Sequence, residues 1–369
     1  MTLPKLTDLN VSEKRVLLRL DLDVTENFSR VEAVNKTLTY LVEKRAKTII
    51  IGHKGRPNGV VSQSLSLSGI AEKISEILGK KVKFVNDIVG QEAKDESSKL
   101  QEGKIMMLEN LRFDSRESLE FPSTPSISLK TSSLRVNARD EEANGFAESL
   151  ALLGDFYVNE AFAVSHRAHA SIVGVPKFLP HAAGFRFIEE VENLSKILED
   201  PKRPVVVLIS GVKEDKVQMA KDLTKIADKV LVGGRLPEYI SENAGSVRLQ
   251  QNEKMIVANL IQDKEDITLN SIDIFKEEIK KAGTIVLAGV LGKYEDEGHR
   301  QGTREIFEAV ANSSAFKVAG GGDTLNAVNM FGFRDKFNWL SVGGGAMIEF
   351  LIKGTLPGIE ALAKSKKKL

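Results

Sequence analysis

Apolar positions along this chain fall into two patterns that take turns. Short, continuously apolar runs alternate with stretches in which apolar residues return at every third or fourth position. In the first half the runs are "RVLLRLDLDV", "TIIIG", "VKFV", "KIMML" and "DFYVN". In the second they are "PVVVLIS", "KVLVGG", "TIVLAG", "FKVAGGG" and "WLSVGGG". A run apolar on both faces suits a strand buried between two layers of helix. The stretches between read as helices. The clearest is "SLSGIAEKISEILG", with Leu67, Ile70, Ile74, Ile77 and Leu78 on one face and a stop at Gly79. The spacing predicts further helices over 34–47, 143–153, 213–227, 272–281, 303–311 and 324–330. Strand and helix in alternation imply a mostly parallel sheet covered on both sides.

The rhythm occurs twice, with a break between. That break opens with Pro176 and Pro180 and closes with Pro201 and Pro204, around one long helical pattern from Phe187 to Leu198. It reads as an interdomain helix with breakers at both ends. The expected fold class is therefore α/β, with two Rossmann-like doubly wound domains, 1–180 and 204–369, joined by a hinge helix within 181–203. The stretch Ser118 to Val136, rich in Ser, Thr and Pro, fits neither pattern and reads as a surface excursion, with room for a small hairpin.

Composition narrows the picture. The length of 369 residues favours two domains over one. A formal net charge of +1 offers no global field for nucleic acid or an anionic membrane. With no cysteine there is no disulfide, thiolate metal site or cysteine nucleophile. The opening residues lack the apolar run of a secretion signal, and the expected location is the cytoplasm. No membrane span is expected either, since no stretch approaches about 18 uncharged apolar residues.

Candidate chemistry gathers where strands end, the edge at which open α/β sheets bind ligands. In the first half Asp21 and Asp23 close the first strand, with Arg30 just beyond. His53 and Arg56 lie in "GHKGRPNG", Arg112 follows "MMLENL", and His166, Arg167 and His169 lie in "SHRAHAS". Several arginines converging on a pocket suit a small, multiply anionic ligand, because the guanidinium fork pairs with carboxylate and phosphate. The second half offers glycine turns instead. Gly320, Gly321 and Gly322 lead into Asp323, Thr324 and a helix, and Gly343, Gly344 and Gly345 repeat the device. Lys213 and Lys216 follow "LISG", while Gly233, Gly292 and Glu295 sit at other strand ends. Such turns let backbone amides approach phosphates, lysines neutralise charge, and a carboxylate takes Mg²⁺ or ribose. Neither GxxxxGK[ST] nor GxGxxG occurs, which argues against a P-loop and against a nicotinamide oxidoreductase. An anion pocket on one domain and a nucleotide pocket on the other, joined by a hinge, imply phosphoryl transfer with domain closure.

The residues then resemble a known family. "GHKGRPNG", "MMLENLRF", "LGDFYVNEAF", "HRAHASIVGVPKFLPHAAGF", "VAGGGDT" and "FGFRDKFNWLSVGGGA", in this order, are similar to phosphoglycerate kinase over nearly the whole chain. The resemblance implies reversible phosphoryl transfer between 1,3-bisphosphoglycerate and ADP, giving 3-phosphoglycerate and ATP, in glycolysis and gluconeogenesis. It implies that Asp21, Asp23, Arg30, His53, Arg56, Arg112, His166 and Arg167 bind 3-phosphoglycerate. It further implies that Lys213, Lys216, Gly233, Gly292, Glu295, Gly320 to Thr324, Gly343 and Gly344 face ATP or ADP, with Asp323 on the Mg²⁺. Arg30, Lys213, Lys216, Gly322 and Gly345 would be the catalytic set, and the protein a monomer. Departures from the family pattern concentrate on the nucleotide side. The two lysines are three apart rather than four, and Ala288-Gly289-Val290 stands for Asn-Gly-Pro. In the first domain Asp23 and Glu160 replace Asn and Asp. A second reading therefore stays open: a paralogue that binds 3-phosphoglycerate or nucleotide without efficient transfer.

Overall fold

The computed structural model describes residues 2–24, 29–119, 133–242 and 253–363. Most of the 118–136 excursion lies outside these residues. Its last residues belong to a helix, Ser133–Ala151, which begins ten residues before the apolar spacing predicts.

The first sheet contains β1 (Arg15–Arg19), β2 (Lys47–Ile51), β3 (Val82–Val85), β4 (Ile105–Leu108), β5 (Phe156–Asn159) and β6 (His181–Ala183), in the order β3-β4-β2-β1-β5-β6. The second contains β7 (Val205–Gly211), β8 (Lys229–Gly234), β9 (Met255–Val257), β10 (Thr284–Ala288), β11 (Phe316–Gly320) and β12 (Trp339–Ser341), in the order β12-β11-β10-β7-β8-β9. Every strand pairing within the two sheets is parallel. The apolar runs explain why: Val16, Leu17, Leu18, Ile49 to Ile51 and Met106 to Leu108 are buried, as are Val205 to Ile209 and Ile285 to Leu287. Strands buried on both faces need helices on both faces, and only parallel crossovers supply them.

Two consequences place the chemistry. All carboxyl ends in a parallel sheet share one edge. Each sheet also has a point where the strand order reverses, between β1 and β5 in the first and between β7 and β10 in the second, where a crevice opens for ligands.

The chain divides into two compact units, Met1–Val191 with Thr355–Leu369, and Glu192–Gly354. Three expected boundaries change. β6 pairs with β5, so the first sheet runs past residue 180. The long helix, Phe185–Glu199, is divided between the units. The second unit stops at Gly354 instead of running to the end of the chain. The helix Pro357–Ala363 returns to the first, where Gly358 N donates to Ser165 O (2.9 Å) and His181 Nε2 lies 3.2 Å from Leu362 O.

The start of the Phe185–Glu199 helix is fixed by a buried carboxylate. Glu160 accepts hydrogen bonds from Arg186 N (3.1 Å), Phe187 N (2.8 Å) and the Thr37 hydroxyl. These satisfy helix donors that would otherwise be left over. Burial nevertheless pushes the Glu160 carboxyl up to about 7.

Candidate active site

In the first unit, loops at the sheet's carboxyl edge are tied together before any ligand enters. The Asn110 amide bridges Lys54 O (2.8 Å) and Leu65 O (2.9 Å), and its carbonyl accepts from Arg112 N at 3.1 Å. Gly59 N donates to Arg112 O (3.1 Å), and Arg112 Nη1 donates to Gly55 O (2.6 Å). Gly55 turns with φ +64°, and its N–H reaches the Asp23 carboxylate at 2.8 Å. Asp23, expected among the substrate-binding residues, thus has one carboxylate oxygen engaged by the loop.

The expected residues divide into three groups. Arg112, Arg167, His53 and His169 come together. The guanidinium of each arginine disfavours charge on the imidazoles, and the two arginines disfavour each other. Burial, then the Arg19, Arg112, His169 and Arg167 charges, lowers His53 well below its ordinary value. Burial, then Arg112, Arg19, Arg167 and His166, lowers His169 to about 3. Both imidazoles are neutral near pH 7. Arg112 falls to about 10, first through burial and then through Arg167 and Arg19, yet it stays charged. Its Nε is buried without a hydrogen-bond partner, and the half-buried Arg167 guanidinium makes no hydrogen bond or ion pair among the described residues. A cationic pocket with unspent donors is what an anionic ligand needs. Arg30 forms a second group with Asp21: its Nη1 donates to Asp21 Oδ2 (2.9 Å) and to Asp23 O (3.1 Å). Arg56 stands apart, exposed in its loop. His166, half-buried, is coupled to His169.

Sequence reasoning missed what lies beneath this pocket. Arg19 and Glu117 are fully buried. Arg19 Nε donates to Ser171 Oγ (2.9 Å), and Nη2 lies 2.8 Å from His53 Nδ1. Arginine can only donate, so His53 Nδ1 accepts and the neutral ring carries its proton on Nε2. The available signal was Arg19 itself, a charge inside an otherwise apolar strand.

The second unit builds its site from backbone. Gly321 takes φ +110°, ending β11, and the helix Gly322–Met330 begins with no side chain capping it. After β12 the helix Gly344–Lys353 starts at Gly343, also without a side-chain cap. The two turns pack backbone against backbone: a Cβ on Gly344 would lie 2.7 Å from Gly321 Cα, whereas Gly322 and Gly345 face open space. Two uncapped helix starts side by side present amide donors and two positive dipole ends to one region. Exposed Asp323 sits in the first turn of the Gly322–Met330 helix, and its carboxylate makes no hydrogen bond among the described residues. No group of three or more His, Asp or Glu among the described residues forms a metal cage. A lone open carboxylate beside anion-binding amides fits Mg²⁺ carried on nucleotide phosphates, since Mg²⁺ is usually held by one or two carboxylates plus substrate oxygens.

Near the order reversal between β7 and β10, Ser210 Oγ donates to Val290 O, and Gly289 turns with φ +143° against Ser210. Lys216 Nζ donates to Ser210 O at 2.8 Å. The helix expected from Lys213 starts only at Asp215, so Lys213 precedes it, exposed, with its ammonium unbonded among the described residues. The two lysines therefore lie on different elements, Lys213 in the loop and Lys216 in the first turn of the helix. Gly233 is pressed against Leu291. Gly292 is closed in by Asp266 and His299 O, and its N–H donates to Thr303 Oγ1 at 3.1 Å. Glu295 is exposed and hydrogen-bonds Tyr294, whose phenol also meets Asn326. Burial first, then Glu295 and Asp323, raises Tyr294 to about 12.

The fold defines a class: a two-unit α/β protein with a parallel six-stranded sheet in each unit. Comparison with known proteins names the family. The family model described as Phosphoglycerate kinase matches residues 6–246 and 241–354. The chain is 34% identical to the phosphoglycerate kinase of Finegoldia magna, over 97% of this chain and 98% of that protein. It is 34% identical to that of Dictyoglomus turgidum, over 98% of each. Among solved structures, the phosphoglycerate kinase of Pyrococcus horikoshii matches with a TM-score of 0.81 at 26% identity, over 97% of this chain and 98% of that one. That of Coxiella burnetii matches with a TM-score of 0.76 at 28% identity, over 99% and 100%. The chain belongs to the phosphoglycerate kinase family.

Proposed function

We propose that this protein catalyses reversible phosphoryl transfer between 1,3-bisphosphoglycerate and MgADP, giving 3-phosphoglycerate and MgATP. The carrying observation is the gathering of Arg112, Arg167, His53 and His169 at the carboxyl edge of the first sheet. This pocket suits a ligand with a carboxylate at one end and a phosphate at the other. Arg112 and Arg167 would pair with its charges, and His53 would add a neutral donor through Nε2–H. Arg30, oriented by Asp21, would reach toward the transferring group. His166 and Arg56 complete the proposed substrate set.

On the second sheet the amides of the two glycine turns would cradle the nucleotide phosphates, Gly322 and Gly345 offering the open faces. Lys216, beside the carboxyl end of β7, would neutralise charge on the transferring group, and Lys213 would support it. Asp323 would hold the Mg²⁺ that comes with the nucleotide and supplies charge neutralisation on its phosphates. Gly233, Gly292 and Glu295 would shape the nucleoside end. In the reverse direction the attacking group is a carboxylate, ionised at neutral pH, so no general base is required. Catalysis is then positioning and charge neutralisation. A monomer in the cytoplasm is part of the same proposal. No helix among the described residues is long and apolar enough to cross a membrane.

The test is a coupled assay with MgATP and 3-phosphoglycerate, run beside direct binding of each to the same sample. Saturable turnover with both is expected. A folded sample that binds 3-phosphoglycerate yet gives no turnover would overturn the assignment in favour of a binding-only paralogue.

A further inference from the structure

We propose that Glu117 is a positioning residue for the 3-phosphoglycerate pocket, locking together four chain segments that carry its ligand groups. The inference rests on the substrate reading above and assigns a role to a residue that touches no ligand.

Glu117 lies in the single turn Ser115–Ser118, fully buried. Its Oε2 accepts from Ser171 N (2.9 Å) and its Oε1 from the Ser171 hydroxyl (2.6 Å). The same Oε1 lies 3.9 Å from Arg19 Nη2 and 3.8 Å from His169 Nδ1. Ser171 is therefore held at every polar atom: its N–H and hydroxyl by Glu117, its oxygen atoms by Arg19 Nε and by the Tyr157 phenol, which donates to Ser171 O at 2.7 Å. Ser171, Tyr157 and Arg19 are all fully buried, and the cluster reaches His53 through Arg19 Nη2 at 2.8 Å.

The four segments joined around the pocket are the end of β1, the β2 exit loop with His53, the turn after Arg112, and the stretch from His166 into the helical turn Ala170–Gly174, with Tyr157 of β5 as a further anchor. They bring in His53, Arg112, Arg167 and His169, the groups that converge on the pocket. A packing role alone does not explain the choice of residues. Burying a carboxylate and a guanidinium away from water is costly, and apolar side chains of similar volume commonly do as well or better for stability. What a polar cluster supplies is a single geometry, since each member has its donors and acceptors fixed. Glu117 also offsets the Arg19 charge, so that the cations presented to a ligand are those with unspent donors.

The test compares Glu117→Gln and Ser171→Ala with the parent protein in the coupled assay, alongside calorimetric binding of 3-phosphoglycerate and of MgADP and a thermal melt. The expected result is a KM for 3-phosphoglycerate raised about tenfold, with the KM for MgATP unchanged and kcat within about twofold, because the loss lies in ground-state binding on one side only. The double variant should be no worse than the poorer single one, since both break one unit. A purely structural role would instead lower the melting temperature and the active fraction while leaving both KM values where they were. That result in either folded variant overturns the inference. A parent protein that neither binds nor turns over 3-phosphoglycerate overturns the substrate reading, and this inference with it.

Discussion

On the function proposed above, the two units would solve one problem, holding an anion at the carboxyl edge of a parallel sheet, with different materials. The first uses long charged side chains. Charges brought out of water must be paired or hydrogen-bonded, so the pocket sits on a buried framework of Arg19, Glu117, Ser171 and His53. The second would use main-chain amides at two helix starts, which carry partial charge and need no counter-ion. Its requirement is steric, with backbone running against backbone at Gly321 and Gly344. A side-chain pocket should thus fail gradually, one charge at a time, and a backbone pocket abruptly, when a single Cβ is added.

The largest effect should come from that asymmetry. Gly344→Val places a branched side chain where a Cβ alone would come within 2.7 Å of Gly321 Cα. MgADP affinity should fall by more than about a hundredfold, with 3-phosphoglycerate binding unchanged, as read by calorimetry on the same sample. Next, Lys216→Ala should lower kcat by about a hundredfold through lost charge stabilisation in the transition state, while exposed Lys213→Ala should cost about tenfold or less. The reverse ranking in steady-state kinetics would move the catalytic role to the loop lysine. Arg167→Ala should raise the Kd for 3-phosphoglycerate by about thirtyfold, the worth of one charge-assisted pair, and leave MgADP alone. A parallel loss of MgADP affinity would break the division between the two materials.

The smallest effect concerns Glu160. Its folded value, raised by burial to about 7 from 4.5, means that the folded state favours the protonated carboxyl. The resulting stability is fully present below the unfolded value and is lost as pH rises through about 7. Thermal melts of the parent and of Glu160→Gln from about pH 5 to about pH 8 should show the parent losing ground by a few degrees as the pH rises. A constant gap would mean that the three hydrogen bonds to the carboxylate offset its burial.

How much of this was legible in the sequence follows the same division. The two glycine turns could be read directly, because a glycine triplet between an apolar run and a helical pattern marks a tight strand-to-helix turn. Ten of the twelve described strands too announced themselves as continuously apolar runs, whereas β6 and β9 did not. Of the cluster around Arg112, the sequence showed only the outer layer. Arg112, Arg167 and His53 stand out beside strand ends, but the spacing of residues cannot show that Arg19 turns inward or that Glu117, beside a stretch of Ser and Pro, is buried beneath them. Arg30 and Asp21 were both noted, yet not that each occupies the other. Short elements escaped for a different reason. β6, at three residues, and the helix Gln91–Lys99, with only Ala93 and Ser97 buried, carry too little apolar pattern to be seen. The start of the second-unit helix at Asp215 was misjudged because periodicity does not mark where a loop ends.

The return of Pro357–Ala363 to the first unit bears on how the protein is made. Gly358 N donates to Ser165 O, next to His166 and Arg167, so this helix braces the loop that carries a pocket arginine. Chains emerge from the ribosome in order, and the brace lies beyond the entire second unit. The unit that starts first is thus the one finished last, and the loop with His166 and Arg167 acquires its final support only after the whole second unit has been synthesised.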